Sequence, residues 1–336
     1  MGETTIGWTR FTFNPWWGCV EVSPACRLCY ARTWAKRMGF NVWGRDAERR
    51  FFDDAHWRQP LNWNKKVGAE RAERATKVRE INAQMSREHI GQPLPPNLKY
   101  PPPVDGRVFS ASMADVFENR ADLVAPRTRL FMTIMQTPEL DWLLLTKRPG
   151  DWHRLTVQSL ELVKSWVDTP GIMPSWMTTH PAELMGWILH WLTKGSAPPQ
   201  NVWFGTTVEN QEMADKRLPE LAGVRAAIKF LSMEPLLGKV DLTRACNHWL
   251  GGIDWIIVGG ETGPDPKEGA DGPRGRAEMD LDALAFVERQ TRPLSTVKGP
   301  ALYVKQDSGR SPGKQGRIPD NIWKRKEFPS CRPESK

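Results

Sequence analysis

The sequence lacks an apolar run long enough to cross a bilayer, since its longest runs, such as residues 142–145 and 255–258, are far too short. Residues 1–9 lack the basic start and apolar stretch of a signal peptide. Its five cysteines are an odd count, unlike the paired cysteines of a small secreted scaffold. It also lacks a GxxxxGK[ST] phosphate loop and an HExxH motif. We therefore expect a cytoplasmic, reduced protein with no membrane contact.

Tyrosine is scarce and tryptophan abundant, with 3 Tyr beside 17 Trp in 336 residues. The hydrophobic share of 40% and the charged share of 26% are typical of a globular protein. The net charge of +8 and the pI near 9.3 favour a polyanionic partner. The tryptophans supply flat apolar area for a core or for stacking. Nucleic acid is the partner that these two features favour together.

Short apolar segments alternate with longer polar stretches along the chain. Strands are predicted at 108–112, 142–146, 202–206, 228–232, 255–258 and 301–305, and helices at 127–137, 155–168, 209–222 and 280–292. Most of the strand segments are continuously apolar, which is typical of strands buried on both faces. This alternation predicts an α/β fold with a parallel sheet.

Polar residues follow nearly every predicted strand: Ser112 and Asp115, Lys147 and Arg148, Thr207 and Glu209, Glu234, Glu261, Lys305 and Gln306. In β/α barrels the chemistry lies at the carboxyl ends of the strands, whereas an open sheet concentrates it at one switch point. The distribution favours a barrel or partial barrel over an open sheet.

We expect one elaborated domain over residues 1–336 rather than two. Residues 64–103 form a basic helical and Pro-rich insertion, which is either a solvated helix with a connector or an arm that grips phosphates. Residues 149–200 form a Trp-rich helical insertion, in which Trp187 and Trp191 share a face suited to core packing. Residues 308–336 form an irregular basic tail.

The most informative segment is NPWWGCVEVSPACRLCY, with Cys19, Cys26 and Cys29 on one short loop. Structural zinc takes four ligands, and neither a second CxxC nor an HxxxH motif completes the set. Three thiolates instead suit a four-iron cluster with one open iron. An open iron can take the amine and carboxylate of a small molecule, which is how S-adenosylmethionine is held for reductive cleavage.

Several segments in fixed order carry a resemblance to a known family: TIGWTRFTFNPWWGCVEVSPACRLCYA, VFSASMADVF, DWLLLTKRPG, NVWFGTTVEN, KFLSMEPLLG, IDWIIVGGETGP and ALYVKQDSG. On these segments the chain resembles the bacteriophage three-cysteine-motif family. That group is similar to radical S-adenosylmethionine enzymes of the spore photoproduct lyase type. The resemblance implies a partial (β/α) TIM-like barrel of the radical S-adenosylmethionine type with helical insertions.

The resemblance also assigns cofactor contacts. Cys19, Cys26 and Cys29 would ligate a [4Fe–4S] cluster, although six residues separate the first two instead of the usual three. Leu28 would lie against the adenine, and Lys147 after Thr146 would hold the methionine carboxylate. The remaining cofactor contacts would come from the strand ends: Ser112, Asp115, Thr207, Glu209 and Glu234. Asp115 is equally suited to an N-cap and Glu234 to closing a strand.

Three further residues are candidates on the substrate side. Glu261 follows two glycines in a Gly-Gly-Glu like that which binds the S-adenosylmethionine amine, but after a late strand, so it is a substrate-side or structural residue. Lys305 ends the last predicted strand. Cys246 is either an ordinary thiol or a hydrogen donor that quenches a carbon radical.

The predicted function is that of a radical S-adenosylmethionine enzyme that forms a 5′-deoxyadenosyl radical and modifies or repairs a nucleobase. Such an enzyme needs an external electron donor and is compatible with a partner protein. The first alternative is a zinc-stabilised, non-catalytic nucleic-acid-binding phage protein. The second is a radical enzyme that acts on a free nucleotide, a peptide or another metabolite.

Overall fold

A computed structural model describes residues 3–88, 98–245, 252–265, 275–292 and 299–329 of the chain. The strands in these ranges are β1 (Phe11–Phe13), β2 (Trp16–Trp17), β3 (Arg50–Phe51), β4 (Arg107–Ser110), β5 (Asp141–Thr146), β6 (Val202–Thr207), β7 (Ile228–Met233), β8 (Trp255–Gly259) and β9 (Ala301–Gln306). The helices are α1 (Tyr30–Arg37), α2 (Asp54–Trp57), α3 (Gln59–Glu88), α4 (Val124–Gln136), α5 (Trp152–Asp168), α6 (Pro181–Leu192), α7 (Gln211–Ala222), α8 (Leu242–Ala245), α9 (Leu281–Gln290) and α10 (Asp320–Trp323). Within the same ranges, no helix combines the length and apolar character needed to span a membrane.

Seven strands form one parallel sheet in the order β1-β4-β5-β6-β7-β8-β9. Each strand therefore pairs with the next sheet strand along the chain, and helices make the crossovers. The sheet is curled into a half-barrel. All carboxyl strand ends consequently lie along one rim, as in a β/α barrel and not as at a single switch point. The prediction of an α/β fold with a partial barrel is confirmed at this level.

The two faces of the half-barrel bury different side chains. Trp142, Leu144 and Phe204 belong to the large core under the helices. Their strand neighbours belong to a separate, strongly aromatic cluster that fills the inner face, with members Trp8, Phe109, Leu143, Trp203, Ile228, Phe230, Trp255, Ile257 and Tyr303. Because side chains alternate along a strand, continuous apolar runs serve both cores at once.

The segments predicted as insertions pack on the sheet. Helix α3 stacks Trp63 on Phe11 with the ring centroids 4.7 Å apart, and the hydroxyl of Tyr100 donates to Asn82 at its far end. Helices α5 and α6 pack together, and Trp187 and Trp191 lie 5.4 Å apart in the large core. Within the described ranges, these helices are crossovers of the half-barrel, since they connect β1 to β4 and β5 to β6.

Apart from α10, the described tail over 308–329 is mostly irregular, and it covers the amino end of the sheet. Phe328 packs on Tyr303 and Trp255, and the indole N–H of Trp255 donates to the carbonyl of Glu327. Trp8, from the other end of the chain, also packs on Trp255. The amino end of the half-barrel is thereby covered by segments from both ends of the described chain.

All six predicted strands are present, and no strand boundary differs from its prediction by more than two residues. Strand β4 ends at Ser110 rather than 112 because Ala111 has a φ of 28°, which breaks the extended backbone. Strand β1 was not predicted, because three residues are too few to show a periodicity. The four predicted helices correspond to α4, α5, α7 and α9.

Candidate functional site at the carboxyl rim

The cysteine loop begins at the carboxyl rim of the sheet. Gly18 forms a parallel bridge with Ala114, just beyond β4, and its N–H donates to the carbonyl of Met113 at 3.0 Å. Its φ is +119°, and a Cβ there would lie 2.4 Å from the carbonyl oxygen of Val42. Only glycine fits this close approach. The chain is thus fixed to the rim one residue before Cys19.

The last two cysteines of the loop, Cys26 and Cys29, lie at the two ends of one turn. Cys26 is buried, Cys19 and Cys29 are partly buried, and the Cys29 N–H donates to the Cys26 carbonyl at 3.3 Å. The Arg148 guanidinium lies 3.9 Å from the Cys19 sulfur. Burial, and to a lesser extent Asp115, raises the pKa of the Cys19 thiol to about 12. A metal ion at this loop would have to displace that proton, because thiolate is the ligand form.

Within the described ranges, no group of three or more Cys, His, Asp or Glu side chains is arranged closely enough to hold a metal ion. The donor chemistry nevertheless fits a metal cluster, since three thiols lie on one 11-residue loop that is tied to the rim at Gly18. Arg148 adds a positive charge beside Cys19 that would offset thiolate charge. The fit rests on this donor set and its position on the rim.

Asp115 is the centre of a buried hydrogen-bond network. Its carboxylate accepts from the Thr146 hydroxyl at 2.6 Å, from Arg148 at 2.7 Å and from the backbone N–H groups of Lys147 and Phe117. Burial alone would raise the pKa of Asp115, but Arg148, Thr146 and the two N–H groups hold it below its ordinary value. The network occupies the carboxylate, so Asp115 positions the turn after β5 and, through Arg148, the cysteine loop.

Lys147 differs from its neighbours because its ammonium makes no ion pair with the described residues. It is partly buried and continues the alternation of the inward-facing Leu143 and Leu145. An unpaired cation at the mouth of the half-barrel is suited to bind an anionic group of a ligand. The carboxylate contact that the resemblance assigns to Lys147 stays a prediction.

Ser112 is held by Asn14, whose side-chain amide donates to the Ser112 hydroxyl at 3.1 Å and whose oxygen accepts from Met113 N–H at 2.7 Å. The backbone carbonyl of Ser112 accepts from the hydroxyl of Tyr30 at 2.9 Å. Ser112 therefore lies where the cysteine loop, α1 and the end of β4 meet.

Thr207 and Glu209, after β6, are both buried. The Arg217 guanidinium donates to the Glu209 carboxylate at 2.9 Å and to the Thr207 carbonyl at 2.8 Å. Both charged side chains are almost fully buried, so removing either partner would leave an uncompensated charge. Glu209 is thus used to anchor α7 to the rim, while its second oxygen lacks a hydrogen-bond partner among the described atoms.

Glu234 and Lys305 form an ion pair across β8, with 3.0 Å between the Lys305 nitrogen and a Glu234 oxygen. A Cβ on Gly259 of β8 would lie 3.1 Å from that same oxygen, so glycine makes room for the pair. Both side chains remain partly exposed. The pair brings two predicted site residues together and places an acid and a base at the mouth.

Leu28 and Glu261 are also brought together. Arg27 pairs with the Glu261 carboxylate at 3.2 Å, and the same carboxylate accepts from the N–H of Ala277 at 2.6 Å. A Cβ added at Gly263 would lie 3.4 Å from Leu28 Cδ1. The segment between the last two cysteines of the loop therefore contacts the turn after β8. Cys246 lies outside the described residues.

Sequence reasoning missed the residues that hold the site together. Arg148 appeared only as a basic neighbour of Lys147, yet it connects Asp115 to the cysteine loop. Asn14 and Arg217 were not singled out at all. The sole signal was proximity in sequence, since Asn14 stands just before the loop and Arg217 lies eight residues after Glu209.

The fold and rim together define an α/β half-barrel protein with a three-cysteine loop beside the carboxyl end of its first sheet strands. A model of the protein family DUF5131, described as a family of proteins of unknown function, matches residues 3–271, and the chain belongs to that family. Searches of curated proteins and of solved structures returned no match.

Proposed function

We propose that this chain is a radical S-adenosylmethionine enzyme, with Cys19, Cys26 and Cys29 as ligands of a [4Fe–4S] cluster. The observation that supports this most is the position of the three-thiol loop. It is bridged to the end of β4 and contacts the turns after β5 and β8. A cofactor held there would face the mouth of the half-barrel, where the other polar strand ends lie.

When bound, the cluster and S-adenosylmethionine would supply reductive cleavage, in which one electron from an external donor yields methionine and a 5′-deoxyadenosyl radical. The chain's own residues bind and orient. Lys147 offers to a carboxylate an ammonium that makes no ion pair with the described residues, and Leu28 offers an apolar contact to an adenine. Ser112 follows β4 and Thr207 ends β6, on either side of β5. Asp115 and Glu209 act indirectly, by fixing the backbone and partners around these groups.

The inner aromatic cluster serves to exclude water from below the site. Trp203, Phe230 and Trp255 are buried in the half-barrel under the rim. A reactive carbon radical formed at the mouth would thus have apolar side chains on that side. Glu234 and Lys305 remain partly exposed at the mouth, where they are placed to hold or orient a polar substrate.

The proposed substrate is a nucleobase in DNA or RNA, and the proposed compartment is the cytoplasm. The net charge of +8 supports a polyanionic substrate. The electron donor is external, and a partner protein is compatible with this assignment.

Anaerobic reconstitution with iron and sulfide tests the proposal. The wild-type chain should become brown and bind about four irons, and it should form 5′-deoxyadenosine from S-adenosylmethionine under reducing conditions. Cys26→Ala should lose both properties. Cys331→Ala, which removes a thiol outside the loop, is the matched control and should retain both.

Two results would overturn the proposal. One is a colourless protein that holds one zinc, which would favour the non-catalytic alternative. The other is formation of 5′-deoxyadenosine by Cys26→Ala at the wild-type rate, which would remove the loop from the chemistry.

A further inference from the structure

Helix α1 exposes the large side chains that a surface helix usually buries. Tyr30, Trp34 and Met38, which follows the last turn, are 56%, 51% and 53% exposed. They recur at every fourth position and so share one face. The buried residues of the helix are the small Ala31 and Ala35, each one position after a residue of that face. The helix therefore packs through alanines and presents two aromatic rings and a thioether outward.

The same helix carries cations that are not neutralised within the described residues. Lys36 and Arg37 are exposed and make no ion pair there. Arg32 is paired with Glu21, and Arg27 is paired with Glu261. The two acidic partners are thus already used. Arg37, three residues after Trp34, lies next to it on the helix surface, whereas Lys36 lies on the other side of the helix. We call the surface of Tyr30, Trp34, Arg37 and Met38 the α1 face.

Tyr30 fixes one end of the α1 face to the mouth of the half-barrel. Its hydroxyl donates to the Ser112 carbonyl at 2.9 Å while more than half of the side chain stays exposed. The ring is thereby held in place at little further entropic cost on binding. From Tyr30 the face extends along the eight-residue helix, or about 12 Å at 1.5 Å per residue, away from the cysteine loop.

We propose that the α1 face binds single-stranded nucleic acid and guides it to the mouth of the half-barrel. Two exposed rings beside Arg37, a cation that makes no ion pair among the described residues, match the two needs of a single strand, base stacking and phosphate neutralisation. A duplex offers its phosphates but keeps its bases stacked within the helix, so the rings would gain nothing from it. The guiding role rests on the proposed function, whereas binding at the α1 face does not.

Fluorescence anisotropy of the full-length chain tests this proposal. The probes are labelled single-stranded DNA and single-stranded RNA of the same mixed sequence, and the corresponding DNA duplex. We expect single strands to bind more tightly than the duplex, and affinity to fall with rising salt. Comparison of the DNA and RNA arms identifies which polymer is preferred.

Trp34→Ala should weaken single-strand binding roughly 5- to 150-fold, which corresponds to the loss of one base stack. Arg37→Ala should flatten the dependence of log affinity on log salt by about 0.7, the value for one lost phosphate contact. Two controls make matched changes elsewhere. Leu189→Ala removes an exposed apolar side chain from α6, and Lys194→Ala removes an exposed cation. Both should bind as the wild type does.

Failure of the wild-type chain to bind single strands, or wild-type binding by both α1 variants, would overturn the proposal. Loss of binding in the controls to the same extent would also overturn it, because it would indicate diffuse charge attraction. The assay is independent of iron content and 5′-deoxyadenosine formation. If the chain binds single strands but takes up no iron on reconstitution, only the proposed function is refuted. If the chain forms 5′-deoxyadenosine but does not bind single strands, only strand binding at the α1 face is refuted.

Discussion

At the residue scale, the position of the cysteine loop depends on a few side chains and one glycine that are not among the proposed ligands or cofactor contacts. Arg148 donates to the Val20 carbonyl at 3.0 Å and pairs with Asp115. Arg49 is buried with Glu118 and also donates to the carbonyls of Val42, Ala47 and Gly44. These contacts hold the loop and the chain beyond α1 against the segment after β4.

Gly18→Ala should destabilise the protein more than Gly44→Ala. Both glycines have φ near +120°, so the backbone strain is matched, but only Gly18 has atoms within 4 Å of an added Cβ. The contacts with Val42 and Arg49 should add about 1–3 kcal/mol to the loss of unfolding free energy. Urea denaturation of both variants measures the difference. Equal losses would show that the loop is not tightly seated at Gly18.

At the element scale, β9 is connected to the tail by one buried carboxylate. Asp307, which follows β9, accepts from the side chain and backbone N–H of Arg317 and from the N–H of Ser308. Burial would raise the pKa of Asp307, but Arg317 and these N–H groups lower it below the ordinary value. The tail therefore folds back on the strand end through a charged group.

Asp307→Asn should lower the free energy of unfolding at neutral pH. The variant should also lose less of that free energy than the wild type does as the pH falls. The lowered pKa means that the carboxylate stabilises the fold above the unfolded pKa of about 3.9 and that this contribution is lost as pH falls through the folded value. We expect a loss of about 1–2 kcal/mol at pH 7, with Arg317 half exposed. Urea denaturation from pH 7 down to pH 3 measures it.

Asp168→Asn, at an exposed helix end, is the control for that series and should lose less stability at pH 7 than Asp307→Asn does. If the difference in unfolding free energy between Asp307→Asn and the wild type is the same at pH 3 as at pH 7, then Asp307 does not stabilise the fold through its charge.

At the scale of the whole molecule, one core connects the segments that the sequence suggested were insertions. The large cluster includes Phe11 of β1, Trp63 of α3, Trp191 of α6 and Ile322 of α10. Residues from the beginning, middle and end of the chain thus pack in one core, and the unfolding of any of these segments would expose the side chains of the others.

Unfolding should consequently follow one cooperative transition. Thermal curves from tryptophan fluorescence and far-UV circular dichroism should coincide, and the calorimetric and van't Hoff enthalpies should agree. The 17 tryptophans are spread along the chain, so their fluorescence reports on the packing of the whole molecule, whereas circular dichroism reports on its secondary structure. A fluorescence transition that precedes the circular dichroism transition would show that the molecule does not unfold as one unit.

Much of the half-barrel could be predicted because its strands are buried on both faces. Continuous apolar runs such as those of β5 and β8 stand out from any flanking sequence. The rim could be predicted as well, since polar residues follow the strands and parallel strands end on one side. The three-residue β1 and the role of Asn14 could not, because neither has a periodicity or a charge to reveal it.

By itself, the sequence determined the parallel sheet and the set of polar groups at its rim, because both follow from local patterns of burial and spacing. Only the tertiary structure decided which of those groups are occupied by internal partners. Glu209 is neutralised by Arg217 and Asp115 by Arg148, whereas Lys147 has no ion pair among the described residues. The reason is physical: a buried charge requires a partner, and only folding decides which side chain meets it.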